Sequence, residues 1–186
     1  TDDLYYNYVD SNFYKFDIII FVVDINSALN SKEERHILEK IVTNCKNNFE
    51  NNGISNKLII LANKCDEMSF VDSNPVLEDE HLEMYEQMEK VTESTIDKIF
   101  PDLEYCIIPI SVEDSYIYRM FEKDKNFELD DKYLNKFGSN EFGKSIWRRT
   151  PPEKRRKMVE DKIKEFDISE MLKMTGWDIF TNKLNE

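Results

Sequence analysis

Basic residues are in short supply: 25 Lys and Arg stand against 38 Asp and Glu in 186 residues, a net charge of -13 and an isoelectric point near 4.7. A surface built for nucleic acid concentrates Lys and Arg against phosphates, so that class of function is excluded as the chain's main business. The acid excess reads instead as a well-solvated exterior. Cysteine is scarce, with three residues at 45, 65 and 106. They fall on helix or strand patterns, with neither metal-ligand spacing nor the density of a disulfide framework, so no metal centre is expected and a reducing, intracellular, cytoplasmic setting is. The two His, His36 and His81, sit on separate helical patterns with no partner at ligand spacing. Only four Gly and five Pro accompany 40% hydrophobic residues, which excludes a low-complexity chain and suits one folded domain. No run reaches about 18 apolar residues and no leader pattern occurs, so no transmembrane segment is expected. No internal repeat is visible. The chain opens on Thr1, and the expectation is a segment of a longer protein.

What is present is a set of unbroken apolar runs: Asp17-Ile18-Ile19-Ile20-Phe21-Val22-Val23-Asp24, then Leu58-Ile59-Ile60-Leu61-Ala62, then Tyr105-Cys106-Ile107-Ile108-Pro109-Ile110-Ser111. Helical patterns separate them. Strands that are apolar on both faces, alternating with amphipathic helices, indicate a parallel sheet covered on both sides. The fold class expected is therefore α/β, a three-layer sandwich with a mainly parallel sheet and right-handed crossovers. Its ligand edge lies at the strands' carboxyl ends, where Asp24, Asn63 and Ser111 fall.

The first helix is announced by Ser31-Lys32-Glu33-Glu34, a capping-box spacing, and carries Ile37, Leu38, Ile41, Val42, Cys45 and Phe49 on one stripe up to Asn52-Gly53. A second is predicted near 79-100, with Leu82, Tyr85, Met88, Val91, Ile96 and Ile99 inward and Pro101 as its stop. Residues 1-16 read as a loop and short helix, 67-77 as a loop containing Pro75, and 168-185 as a helical pattern interrupted at Gly176. Between them, 115-166 reads as an irregular, charged insertion, and connections of that length usually carry function.

The second strand ends directly in Asn63-Lys64-Cys65-Asp66. This element resembles the Asn-Lys-x-Asp guanine-reading motif of the regulatory and translation-type GTPases. In that role the Asp66 carboxylate accepts two hydrogen bonds from the N1 and 2-amino donors of guanine, while Asn63 braces the loop and the Lys64 stem lies over the ring. Adenine lacks the donor pair, and sites built around a substrate's hydrogen bonds reject such analogues by roughly 10⁴-fold or more.

In order and spacing the three strands and the closing Thr175-Gly176-Trp177-Asp178-Ile179-Phe180 resemble the second half of a TRAFAC-type GTPase domain, from its fourth strand to its final helix. The resemblance covers about 17-112 and 168-185 and implies a P-loop NTPase-like partial domain spanning 1-186, with the insertion at 115-166. It implies guanine binding by Asn63, Lys64, Asp66, Ser111 and Val112, with GTP or GDP as ligand and a backbone N-H near Val112 meeting the guanine O6. The family's Ser-Ala-x stands here as Ser111-Val112-Glu113. The phosphate loop, switch Thr and Asp-x-x-Gly element belong before the fourth strand, and no complete set lies within 1-16. No catalytic residue is therefore assigned, and GTP hydrolysis with Mg²⁺ is expected only with an upstream part of the domain.

Other readings stand beside this one. The chain is alternatively a non-hydrolysing, GTPase-derived interaction module whose 115-166 insertion binds a protein partner, or a response-regulator-like or flavodoxin-like domain. Gly138-Ser139-Asn140-Glu141-Phe142-Gly143-Lys144-Ser145 satisfies G-x-x-x-x-G-K-S, as a circularly permuted GTPase would require, but the residues before it are too polar for a central strand. Asp24 is either an orienter of nucleotide loops or a turn residue. The cluster Arg148, Arg149, Lys154, Arg155, Arg156 and Lys157 reads as the solvated face of a helix starting at Pro152-Glu153. Cys65 reads as a packing choice, and Trp147 and Trp177 as anchors of the insertion and last helix to the sheet.

Overall fold

The computed structural model describes residues 8-66, 68-71, 74-77, 79-124 and 127-185. The chain is mixed α/β, with a small parallel sheet of three strands flanked by helices. Strands β1 (Ile18–Asp24) and β2 (Lys57–Asn63) pair in parallel, and β2 pairs in parallel with the third sheet strand, Glu104–Ile110. The register aligns Asp24 with Asn63 and Asn63 with Ile110, so all three strands end at one rim.

Alternation along β2 decides the two cores. Leu58, Ile60 and Ala62 face one cluster, where Leu38, Val42 and Cys45 of α1 (Lys32–Asn52) meet Met88 and Ile96 of α2 (Asp79–Ile99). Ile59 and Leu61 face the other with Ile108, Ile110 and Phe180. A strand buried on both faces needs apolar residues at every position, which is why β2 reads as a continuous run. Helix α1 begins where the capping spacing places it, the Ser31 hydroxyl accepting the Glu34 N-H at 3.0 Å.

Two helix positions differ from the pattern. Leu82 is exposed because it lies in the first turn of α2, beyond the sheet's reach, and Phe49 is exposed while tilting against Phe100 at 5.6 Å. Residues 67-77 are not simply a loop. They include a small antiparallel hairpin, β3 (Ser69–Val71) and β4 (Asn74–Val76), which makes Glu104–Ile110 strand β5 in chain order. Tyr5 and Tyr6 lie outside the described residues.

The segment 115-166 is the largest correction. It is helical through most of its length: α3 (Val112–Lys123), α4 (Asp131–Phe142), α5 (Lys144–Arg149) and α6 (Pro152–Lys164). These helices, with α7 (Ile168–Lys173), bury their own apolar cluster around Ile117, Phe121, Leu134, Phe137, Trp147, Val159 and Ile163. Short helices hide a 3.6-residue period, because each contributes only one to four buried positions before it ends. Trp147 anchors this cluster and not the sheet, whereas Trp177 of α8 (Trp177–Asn185) touches both. Gly176 turns the chain into α8 with φ at +79°, and a Cβ there would collide with the Pro109 carbonyl oxygen.

The Gly138-Ser145 match is not a loop between a strand and a helix. Gly138 through Phe142 are the last turns of α4, and a Cβ on Gly138 would overlap the Trp147 ring. The glycine is there to admit tryptophan, and helical N-H groups spent on i-4 carbonyls make no phosphate cradle. The expected helix at Pro152 is present. On it Arg155 lies over Trp147 at 5.2 Å, and Arg156 donates to the Leu129 carbonyl at 2.9 Å, so two of the clustered cations hold the insertion together. No helix among the described residues is long and apolar enough to cross a membrane.

Candidate functional site

Parallel pairing brings the carboxyl ends of β2 and β5 side by side, and the sequence-predicted residues gather there. The Asn63 Oδ1 accepts the Val112 backbone N-H at 3.1 Å, tying the end of β2 to the start of α3. Ser111 caps α3, its hydroxyl accepting the Asp114 N-H at 3.4 Å. The same hydroxyl lies 2.9 Å from Asp66 Oδ1 and 2.7 Å from Asp114 Oδ2, and its single proton serves one carboxylate at a time. Burial raises the Asp114 carboxyl above its ordinary value despite the Ser111 hydrogen bond, and the Asp66 charge pushes it further the same way.

Lys64 turns the corner between Asn63 and Asp66 with φ at +73°, a left-handed conformation uncommon for a residue with a side chain. Such strain persists only where the surroundings over-determine it. Here the Cys65 N-H donates to the Ile110 carbonyl at 3.3 Å and the Cys65 thiol to the Ala62 carbonyl at 3.2 Å, so the turn is pinned to both strands. Burial pushes the Cys65 thiol up to about 11, which leaves it a packing residue and not a nucleophile. The Lys64 ammonium reaches back to Asp24 Oδ2. Burial acts to raise the Asp24 carboxyl, but the hydrogen bonds from Lys64 and Asn26 outweigh it and hold the group below its ordinary value. Asp24 is thus both a turn residue, accepting the Asn26 N-H at 3.0 Å, and the partner that orients Lys64.

From behind, the Ser111 N-H donates to the Thr175 carbonyl at 2.9 Å, and Ser115 Oγ lies 2.9 Å from Thr175 Oγ1. The turn before α8 is therefore part of the rim's support. Asp66 also borders a cavity of about 170 Å³ lined by Tyr118, Phe137 and Met171 among others. Asn63, Lys64, Asp66, Ser111 and Val112 come together at this rim; His36 and His81 belong to α1 and α2.

Three further residues belong to the rim. Asp114 shares Ser111 with Asp66, Glu113 faces outward beside it, and Lys136 of α4 places its ammonium 3.0 Å from Asp66 Oδ2 while also binding Glu113 Oε2. The Ser111-x-x-Asp114 spacing signals the cap in the sequence. Lys136, 70 positions from Asp66, has no local signal. Chemically, the rim offers several carboxylates, Asp66 among them, with an amide and a hydroxyl, a set suited to reading a planar donor edge, and none of these residues is an activated nucleophile. Compared with protein-family models, curated proteins and solved structures, the chain matches none.

Proposed function

We propose that this chain supplies the base-reading half of a guanine-nucleotide-binding domain similar to TRAFAC-type GTPases, with GTP hydrolysis requiring upstream phosphate-binding and switch elements. The observation that carries the reading is the Ser111 hydroxyl 2.9 Å from Asp66 Oδ1, across the ends of adjacent parallel strands. A serine so placed orients the carboxylate plane, and Oδ2, which the Lys136 ammonium meets at 3.0 Å, is the oxygen that a ligand's N-H donors would take over. Asn63 and the strained Lys64 turn fix the same rim, as a preorganised base site requires.

A P-loop NTPase-like partial domain has support in the outer edge of β1, which pairs with no strand among the described residues. Ile20 and Val22 are 45% and 53% exposed, and β1 carries neither proline nor an internal charge to blunt that edge. Proteins rarely leave so apolar an edge bare, whereas β5, the opposite edge, carries Pro109. Further strands beyond β1 would complete the sheet and bring the phosphate-binding elements. A second reading, the non-hydrolysing interaction module, draws on the insertion's separate core and a groove of about 400 Å³ bordered by Phe121, Ile163 and Phe166. Competition of GDP against ADP on the full-length protein tests the first reading: discrimination of about 10⁴-fold supports it, and comparable affinity removes it.

A further inference from the structure

The edge of Asp66 that faces outward is already filled by the protein itself. Lys136 comes to it from α4, with its ammonium 3.0 Å from Asp66 Oδ2. The side chains are 32% and 27% exposed, so the pair is neither a loose surface contact nor a sealed one. The lysine is also not free to wander. Asp130 caps α4 through the Lys132 and Tyr133 N-H groups, and Leu134 and Phe137, on either side of Lys136, are buried in the insertion's core. Gly138 admits the Trp147 ring against the same helix. An ammonium is a donor without an acceptor, the same polarity that a guanine N1 and 2-amino edge presents. Nearby, the Val112 N-H is spent on Asn63, and the Lys64 ammonium on Asp24. The polar groups that a base would use are satisfied from within.

We propose that Lys136 is an internal stand-in for the guanine edge: it holds Asp66 in the nucleotide-free chain, a nucleotide displaces it, and its displacement releases α4 from the rim. This rests on the guanine reading of Asp66. Glu113 makes the exchange feasible, because its Oε2 already binds the Lys136 ammonium and keeps it paired after Asp66 is taken. Linkage then runs both ways. Any partner that draws the insertion off the rim tightens nucleotide binding, and a bound nucleotide loosens the insertion by the same factor. The insertion is thereby a regulatory arm of the base site and not an ornament on it.

The test is titration of the full-length protein with a fluorescent GDP, comparing wild type with Lys136→Met and with Lys157→Met, which removes the same charge from an exposed position on α6. Alongside it, hydrogen exchange of 131-142 in the wild type is followed with and without GDP, a readout independent of any variant. The expected result is binding about tenfold tighter for Lys136→Met, the factor corresponding to ~1.4 kcal/mol released from one half-buried pair, with Lys157→Met like wild type and faster exchange in 131-142 when GDP is bound. Equal affinities for Lys136→Met and wild type, with exchange in 131-142 unmoved by GDP, overturn the inference and leave the guanine reading standing. If no form binds GDP, the reading beneath it falls as well.

Discussion

Asn63 and Val112, 49 positions apart, are joined by a side-chain oxygen accepting a backbone N-H at 3.1 Å. The contact spans two neighbouring strand ends, one belonging to β2 and the other leading from β5 into α3. It converts a sheet rim, ordinarily a set of independent loops, into one frame on which Lys64, Asp66 and Ser111 keep fixed relative positions. A base-reading site needs that rigidity, since a misdirected carboxylate loses the difference between two purine edges.

Ser111 should show the largest effect per atom removed. Ser111→Ala deletes the α3 cap and a hydroxyl shared by Asp66 and Asp114. Loss of such a cap costs about 1 kcal/mol, and a charged hydrogen bond about 1.5 to 3 kcal/mol. Thermal melting should fall by several degrees and GDP affinity by about tenfold or more, measured by calorimetry on one preparation. Ser111→Thr, which keeps the hydroxyl, should recover most of both.

Acid should detach α4 before it unfolds the sheet. Glu113 is held below its ordinary value of 4.5, first by the Lys136 hydrogen bond and then by Lys132, against the opposing effect of burial. A carboxyl whose folded pKa is depressed stabilises the fold above its unfolded value, and that contribution is lost as pH falls through the folded one. Asp114 has the opposite sign: its raised carboxyl contributes below its ordinary 3.8, and that contribution is lost as pH rises through its folded value. Below about pH 4.5 the first contribution therefore drains while the second grows. Hydrogen exchange across 131-142 should accelerate there while Leu58–Ala62 stays protected. Lys136→Met should abolish the acid step; an identical step in the variant would contradict this account of its cause.

The glycine-lysine match in the insertion makes a separate forecast. Gly138→Ala forces a methyl into the Trp147 ring, and overpacking of that kind costs typically 1 to 3 kcal/mol. Lys144→Met alters an exposed side chain at the start of a short helix. Denaturant titration should show the first variant destabilised and the second unchanged, and GDP affinity should be unaltered by Lys144→Met. A large affinity loss with Lys144→Met would restore the phosphate-loop reading.

How much of this was legible depends on the length of each signal. The three sheet strands were, because residues apolar on both faces leave unbroken runs such as Leu58–Ala62. Ser31 and Gly53 bounded α1 for the same reason: caps are local chemistry. Apart from the helix at Pro152 the insertion was not legible; α5, for one, has six residues and buries one side chain, too few to establish a period. The hairpin at Ser69 and Asn74 was hidden by Pro75, which an edge strand tolerates where an interior strand does not. At the rim, Asn63 and Asp66 were singled out by the resemblance of Asn63-Lys64-Cys65-Asp66 to the Asn-Lys-x-Asp motif and Ser111 by the end of an apolar run, all local signals, whereas Lys136 reaches Asp66 only through tertiary packing of a separate core. Its place in the rim could not be read from neighbours in sequence.

The central claim is that Asp66 reads the edge of guanine, and its most direct measurement is the ratio of GDP to xanthosine diphosphate affinity in wild type and in Asp66→Asn. The amide donates where the carboxylate only accepts, matching the xanthine 2-carbonyl in place of the guanine 2-amino group. The account predicts that wild type prefers GDP and that the variant inverts the ratio. An unchanged ratio in Asp66→Asn would contradict it.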